Sequence, residues 1–427
     1  MLDIKFIRQN PEIIKMAVLK KQTHFNVDEL IDCDKKRLEL LNIIEELRAQ
    51  QNKTSKEIAN LSTEVTRQIK IDEMSKLKEI LKKNEEELLT VMQTWRKLML
   101  EVPNIPDMSV PEGCDDKDNL EIKKFGIIKS ENDFNFKIKD HIQIMEAQNW
   151  VDFSRGAKTS GFRGYYLKSE AVLLEMAIWQ YAMQKWNQKN FQPFIVPSLV
   201  KKETLLGTGY LPHGQDDLYN DIDGNYLAGT GEVGMMNYHA GEILEKKDLP
   251  KKFIAFSPCF RKEAGAHGKD VKGLIRVHEF FKLEQVILCE ASHAESVKYH
   301  EEITRYSEEL LEEFNLPYHT VINCGGDLGL GQVKKYDIEV WMPSQNKYRE
   351  ISSASYFHDF QTRRLNIRYR DENGELKFVH SINNTAVATP RILAMLIENY
   401  QNPDGTVTVP QVLIPFLGKE ILGNKIF

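Results

Sequence analysis

Arg261 and Glu263 stand in a Phe-Arg-x-Glu run, Phe260 to Glu263, and Arg276, Phe280 and Glu284 follow as Arg-x-x-x-Phe-x-x-x-Glu. Arginine offers a planar fork of N–H donors that matches phosphate or carboxylate. The intervening stretch, Ala264 to Ile275, is twelve residues long and holds three glycines and two lysines, which suits a hairpin whose tip moves over an anion. At period two, Arg276, His278, Phe280, Lys282 and Glu284 share one strand face. A ring and a carboxylate then lie side by side on a pocket floor. A surface hairpin with solvated charges is the plainer alternative, and the double spacing favours the pocket.

Three further stretches carry candidate chemistry. Thr230-Gly231-Glu232 lies between a strand-like Tyr226-Leu-Ala and a helix-like Val233 to Leu244. Its hydroxyl and carboxylate could grip an ammonium group, with Gly231 allowing close backbone approach; simple helix capping by Thr230 is the competing reading. Glu350-Ile351-Ser352-Ser353 follows the strand ending at Trp341, near a presumed sheet edge. It offers hard oxygen ligands for a Mg²⁺ that substrate phosphates also hold, or else forms a polar turn. His380 to Arg391 runs from a strand into a helix over Arg391 to Tyr400, with Thr389 as cap and Pro390 in the first turn. A cation at a helix start opposes the dipole, so Arg391 suits an anionic ligand. With Arg261 it would clamp a nucleotide triphosphate, the electrostatic device that nucleotidyl transfer needs. No P-loop pattern competes for that role, and the histidines form no triad-like set.

Those residues need a large scaffold, and 427 residues provide for two domains. Apolar content of 41% with 28% charged residues describes a soluble globular chain. A net charge of -6 excludes a generally basic nucleic-acid coat, though not a local basic patch. Five scattered cysteines without a C-x-x-C pair point to free thiols in a reducing cytoplasm and to no zinc site. Neither a signal peptide nor a membrane span is expected.

Residues 1–26 read as a helical cap, with Asn10 capping a helix that starts at Pro11. Leu40, Ile44, Leu47, Gln51, Thr54, Ile58, Leu61 and Val65 then step in heptads, and Met74, Leu77, Leu81, Asn84, Leu88, Val91, Trp95 and Leu98 do the same. Two such runs joined by eight residues pair as an antiparallel helical hairpin, roughly 55 Å long at 1.5 Å per residue. From Arg48 to Lys83, around the tip, nine Lys/Arg face five Asp/Glu, whereas the base segments 28–47 and 84–100 hold five against ten. The hairpin is either a lever for a long polyanion or a coiled coil that dimerises. Pro103, Pro106 and Pro111 end it. Beyond them, helices at Glu170 to Lys189 and Ala291 to Phe314 alternate with more numerous strands, among them Phe253 to Phe256 and Phe281 to Leu288. The fold class expected is α+β: an N-terminal antiparallel coiled-coil arm, then an antiparallel sheet flanked by helices.

Nearly the whole chain resembles the bacterial type of seryl-tRNA synthetase, a class II aminoacyl-tRNA synthetase. The phrases CFRKEAG, KGLIRVHEFFKLE, YREISSAS, DFQTRR and ENYQNPDG carry the likeness. Phe260-Arg-x-Glu to Glu284 resembles class II motif 2 (about 253–288), Asn190-Phe191 to Pro197 motif 1 (about 170–200), and His380 to Asn399 motif 3 (about 380–400). The hairpin over about 28–100 resembles the family's tRNA-binding arm, which gives domains of 1–102 and 103–427. The resemblance implies that Arg261 binds the α-phosphate and the serine carboxylate, Arg391 the γ-phosphate, and Phe280 the adenine ring. The Val277 backbone and Glu263 would help hold the base, and Lys262, Ile351 and Ser352 fall within its ATP-binding runs. Thr230, Gly231, Glu232 and Glu284 would line the serine pocket, Thr385 would meet the serine hydroxyl, and Glu350 and Ser353 would hold Mg²⁺. The family's motif 3 usually reads Asn-Gly-Ser-Gly-Leu-Ala-x-Gly-Arg; here Asn383-Asn-Thr-Ala-Val-Ala-Thr-Pro-Arg391 contains no glycine, and Gly234 stands where proline is usual.

The implied reaction is attack of the serine carboxylate on the α-phosphorus of ATP, giving seryl-adenylate and pyrophosphate, then transfer to tRNA(Ser), with tRNA(Sec) open as a second acceptor. The implied assembly is a cytoplasmic homodimer. Two rivals are a catalytically silent RNA- or protein-binding relative and a ligase acting on a carrier protein. Retention of Arg261, Arg391 and Glu284 speaks against the first, and the full arm against the second.

Overall fold

A computed structural model describes residues 1–61, 64–264 and 273–426. The backbone divides into two units, Met1–Leu19 with Thr23–Pro103, and Lys20–Gln22 with Asn104–Phe427.

In the first unit, α1 (Ile4–Gln9) begins where the Asp3 carboxylate accepts from the Lys5 N–H. Asn10 closes α1, donating its side-chain amide to the Phe6 carbonyl. The expected cap therefore ends one helix, while Pro11 opens α2 (Pro11–Lys20). Asn26 caps α3 (Val27–Asn60) by accepting from the N–H groups of Asp28 and Glu29. The return helix is α4 (Glu64–Glu101). Salt bridges Lys36–Glu87 and Arg48–Glu85 at 2.7 Å and Glu57–Lys70 at 3.3 Å run in opposite senses along the two helices. Leu40, Ile44, Thr54, Met74, Val91 and Leu98 are the buried heptad positions.

The reversal comes earlier than the heptads suggested. Helix α3 stops at Asn60, Leu61 is extended, and Val65 belongs to α4 with 75% of its surface exposed. Apolar spacing happens to continue across the bend, so periodicity alone could not mark it. The α3 arm is accordingly about 50 Å long.

The second unit is built on an eight-stranded sheet. Its elements in chain order are β1 (Leu120–Phe125), α5 (Ser169–Gln188), β2 (Gln192–Ile195), α6 (Gly231–Met236), β3 (Lys251–Phe260), β4 (Glu279–Cys289), α7 (His293–Glu313), β5 (Tyr318–Ile322), β6 (Lys334–Met342), β7 (Lys347–His358), β8 (His380–Thr389) and α8 (Arg391–Asn399). The strands lie in the order β1-β5-β6-β7-β8-β4-β3-β2. All pairs are antiparallel except β2 with β3. Ile254, Ile287, Ile338 and Ile382 from the strands meet Trp186 of α5, Phe314 beyond α7 and Met395 of α8 in one dry core. Among the described residues no helix is long and apolar enough to cross a membrane, and all five cysteines are free thiols.

Several local expectations change. The helix placed over Val233 to Leu244 stops at Met236, because Gly241 at φ +80° turns the chain and Leu244 joins a strand, Ile243–Glu245. Glu350 to Ser353 do not form a turn; they lie in β7 and pair with β6, while the β7–β8 ladder begins only at Ala354. Thr389 ends β8 and its hydroxyl donates to the Phe281 carbonyl, so it does not cap α8. Arg276 and His278 precede β4, leaving Phe280, Lys282 and Glu284 to share the strand face. Most of the stretch Ala264 to Ile275 lies outside the described residues.

Ile254, fully buried under the β3–β4 ladder, tests this core. Ile254→Ala should cost about 2–5 kcal/mol in urea unfolding followed by circular dichroism; a loss below about 1 kcal/mol would mean that the core is not packed as described.

Candidate active site

Two irregularities in the ladders aim the side chains. Along β4 and β8, Leu283 pairs with Val387 but Glu284 pairs with Thr385, so Ala386 is the extra residue of a bulge. The bulge sets Thr385 directly across from Glu284, and the Thr385 hydroxyl donates to the Glu284 carboxylate at 3.3 Å. Along β6 and β7, Ser352 pairs with Ile338 but Glu350 with Glu339, so Ile351 is extra. In a regular strand Glu350 and Ser353 would point to opposite faces; the additional residue brings both onto one face.

On that surface lies a cleft lined by Arg261, Glu263, Arg276, Val277, Phe280 and Arg391, among others. Arg261 is positioned at the end of β3, its N–H donating to the His278 carbonyl at 3.0 Å and its Nε to the Gly229 carbonyl at 3.3 Å. Its guanidinium carbon lies 5.4 Å from the centre of the Phe280 ring. Glu263 adopts φ +54° and is held by Arg276 at 2.8 Å and Arg163 at 3.8 Å. Arg391, the first residue of α8, donates to the Glu350 carbonyl at 2.7 Å and the Ile275 carbonyl at 3.3 Å. Burial, opposed by Glu350 and reinforced by repulsion from Arg261 and Arg276, draws the Arg391 pKa below its ordinary value. Such crowding of guanidinium groups is relieved by an anion.

A second cavity adjoins the first and shares Arg261, Lys282, Glu350 and Thr385 with it. Its chemistry is acidic. Glu284 is 3% exposed and Glu232 likewise 3%. Glu232 accepts from the Tyr210 hydroxyl at 2.8 Å and from the Gln361 amide at 2.5 Å. Burial and the Glu284 charge raise the Glu232 pKa against those two hydrogen bonds, while Tyr210, pushed far above its usual range by burial and by Glu232, stays a donor. This pair of carboxylates suits an ammonium group. Thr230 does cap α6, its hydroxyl accepting from the Glu232 N–H at 3.3 Å. A Cβ on Gly231 would stand 3.1 Å from the Ser257 hydroxyl, so only a very small residue lets α6 settle onto β3.

These positions can be compared with known proteins. Residues 1–106 match the family model "Seryl-tRNA synthetase N-terminal domain", and residues 218–400 match "tRNA synthetase class II core domain (G, H, P, S and T)". The chain is 43% identical, over the whole of both chains, to the serine–tRNA ligase of Deinococcus radiodurans. It belongs to the seryl-tRNA synthetase family. The seryl-tRNA synthetase of Pyrococcus horikoshii, solved in complex with ATP, superposes with a TM-score of 0.90 at 37% identity, covering 99% of each chain. The cytoplasmic serine–tRNA ligase of Naegleria fowleri, solved with AMP, gives 0.88 at 29%, covering 100% of this chain and 99% of its own. Family membership makes the chain an aminoacyl-tRNA ligase built on the class II core.

Of the residues singled out from the sequence, Glu263, Val277, Phe280, Ile351 and Arg391 come together in the first cleft, Glu232, Glu284 and Ser353 in the second cavity, and Arg261, Glu350 and Thr385 line both. Others point elsewhere. The Ser352 hydroxyl is buried against Asn384 and the Thr385 carbonyl, and the Lys262 ammonium lies over the Tyr219 ring. The sequence reading left out Tyr210 and Gln361, which orient Glu232; both sit far from it in the chain and follow no spacing that flags them. Arg276 and Lys282, on the face already singled out, were also left without a role. Among the described residues, no group of three or more His, Cys, Asp or Glu could hold a metal ion.

Because Arg391 lines only the first cleft and Arg261 lines both, their truncations should differ. Calorimetry on Arg391→Ala should show ATP binding weakened about 10- to 100-fold with serine binding unchanged, and Arg261→Ala should weaken both ligands. Equal loss of serine affinity in Arg391→Ala would contradict the division of the site.

Proposed function

We propose that this chain activates L-serine with ATP to form seryl-adenylate and pyrophosphate, and then transfers serine to the 3′ end of tRNA(Ser). The observation that carries the reading is the union of a cationic cleft and a carboxylate-lined cavity through Arg261. ATP extends through the cleft, its adenine on Phe280 against Val277 and Glu263, its γ-phosphate at Arg391. Serine occupies the adjoining cavity, its ammonium group by Thr230 and Glu232, its hydroxyl by Glu284 and Thr385. Arg261 takes both the serine carboxylate and the α-phosphate, and so holds the attacking oxygen and the phosphorus in line. No side chain needs to act as a general base, since the nucleophile is already a carboxylate.

Glu350 and Ser353 suit Mg²⁺, because the bulge at Ile351 puts two oxygen donors on one face. Burial pushes the nearby Asp337 carboxyl up to about 6, against Lys335 and with a smaller push from Glu350. The ion would neutralise phosphate charge there, sharing its coordination with the phosphates. The reading includes a homodimer, and the exposed Leu173 and Met176 on α5 and Ile195 on β2 support it, as apolar positions of the kind that a second copy covers. The reading places the protein in the cytoplasm, with tRNA.

The arm binds the tRNA, its basic outer half meeting phosphate. Replacing Arg48 to Lys83 by a short turn should leave serine-dependent pyrophosphate exchange intact and abolish charging of tRNA(Ser). Charging that survives the truncation would remove the arm from the mechanism.

A further inference from the structure

Lys282 is a charged residue of the site to which the scheme above gives no role. It lies two residues before Glu284 on β4 and is 5% exposed. Its ammonium reaches the Glu284 carboxylate at 2.5 Å and the Thr385 hydroxyl at 3.4 Å. A lysine ammonium has three N–H donors, and among the described residues the third has no acceptor. The side chain lines both the cleft and the cavity, so two roles compete: a phosphate ligand on one side, or a reader of the amino acid on the other.

Charge decides between them. The cavity buries two carboxylates, Glu232 and Glu284, for one incoming ammonium group. Lys282 balances Glu284 and leaves Glu232 to the substrate's ammonium group, while Arg261 meets its carboxylate and Lys335 offsets Glu350 in the same lining, so the cavity with its zwitterion is close to neutral; an uncompensated buried charge would otherwise be strongly unfavourable. Glu284, once balanced, is an acceptor and no longer a counter-ion. A hydroxyl both donates and accepts, and the remaining N–H of Lys282 supplies the second half.

Resting on the assignment of this cavity to serine, we propose that Lys282 is a specificity-determining residue that donates a hydrogen bond to the substrate's side-chain hydroxyl oxygen while Glu284 accepts the hydrogen of that hydroxyl. Alanine then leaves a donor and an acceptor unpaired in a buried site, the arrangement that rejects an analogue most strongly. Cysteine offers only a weak donor and a weak acceptor in the same place.

The test is amino-acid-dependent pyrophosphate exchange by the full chain with serine and with alanine, for wild type, Lys282→Met and Lys282→Gln, with melting curves for each. Absence of serine-dependent exchange in wild type would overturn the assignment of the cavity itself, separately from the role of Lys282. Given that exchange, Lys282→Met should lower kcat/KM for serine about 10- to 100-fold more than that for alanine, leave the KM for ATP within about twofold, and so collapse the serine-to-alanine ratio. Lys282→Gln, which keeps a neutral donor, should recover part of the ratio. A ratio that stays at the wild-type value in both variants, a Gln variant no more selective than Met, or a KM for ATP that rises in step with the loss would each overturn the proposal.

Discussion

Like charges held close together with little water are what this site must withstand. Arg261, Arg276 and Arg391 converge on one cleft, and Glu232 and Glu284 on the cavity beside it. Burial above all, with repulsion inside each set adding to it, moves the Arg391 and Glu232 pKa values in the direction that discharges them. A surface loop would relax by turning such groups out to water. Here they are fixed by strands, strand ends and the first turns of α6 and α8, so the strain is relieved by a ligand carrying the complementary charges in the matching order: phosphates, carboxylate, ammonium.

The sheet does that work through its faults. A regular ladder would put Ala386 opposite Glu284 and would split Glu350 from Ser353; the two bulges bring each functional pair onto one side. Asn383 to Arg391 contains no glycine, and β8 runs through it as a largely buried strand with one extra residue. Gly234 serves packing in another way. A side chain there would press on the Pro197 carbonyl at 3.0 Å and Val196 at 3.1 Å, so α6 can approach the end of the Asn190 to Pro197 segment.

Much of this was legible in the sequence. Heptad steps gave the helical arm, alternation gave β3 and β4, and the Arg-x-Glu and Arg-x-x-x-Phe-x-x-x-Glu spacings marked Arg261, Phe280 and Glu284. What escaped depends on three-dimensional register. The bulges leave no trace in residue types, so Glu350 to Ser353 could read as a polar turn. Continued apolar spacing hid the bend after Asn60, and the Thr-Pro pair before Arg391 resembled a cap although Thr389 is bonded to Phe281. Tyr210 and Gln361 steer Glu232 from positions 22 and 129 residues away in the chain, a distance over which single-sequence patterns carry no signal.

The central claim is that cleft and cavity form one site joined at Arg261. A non-hydrolysable seryl-adenylate analogue, with a sulfamate in place of the phosphate, spans both. Titration calorimetry should find it bound at least about 1000-fold more tightly than either serine or AMP alone, because one molecule collects both sets of contacts while losing its freedom of movement once. Binding no tighter than that of AMP would show that the two cavities do not act as one site.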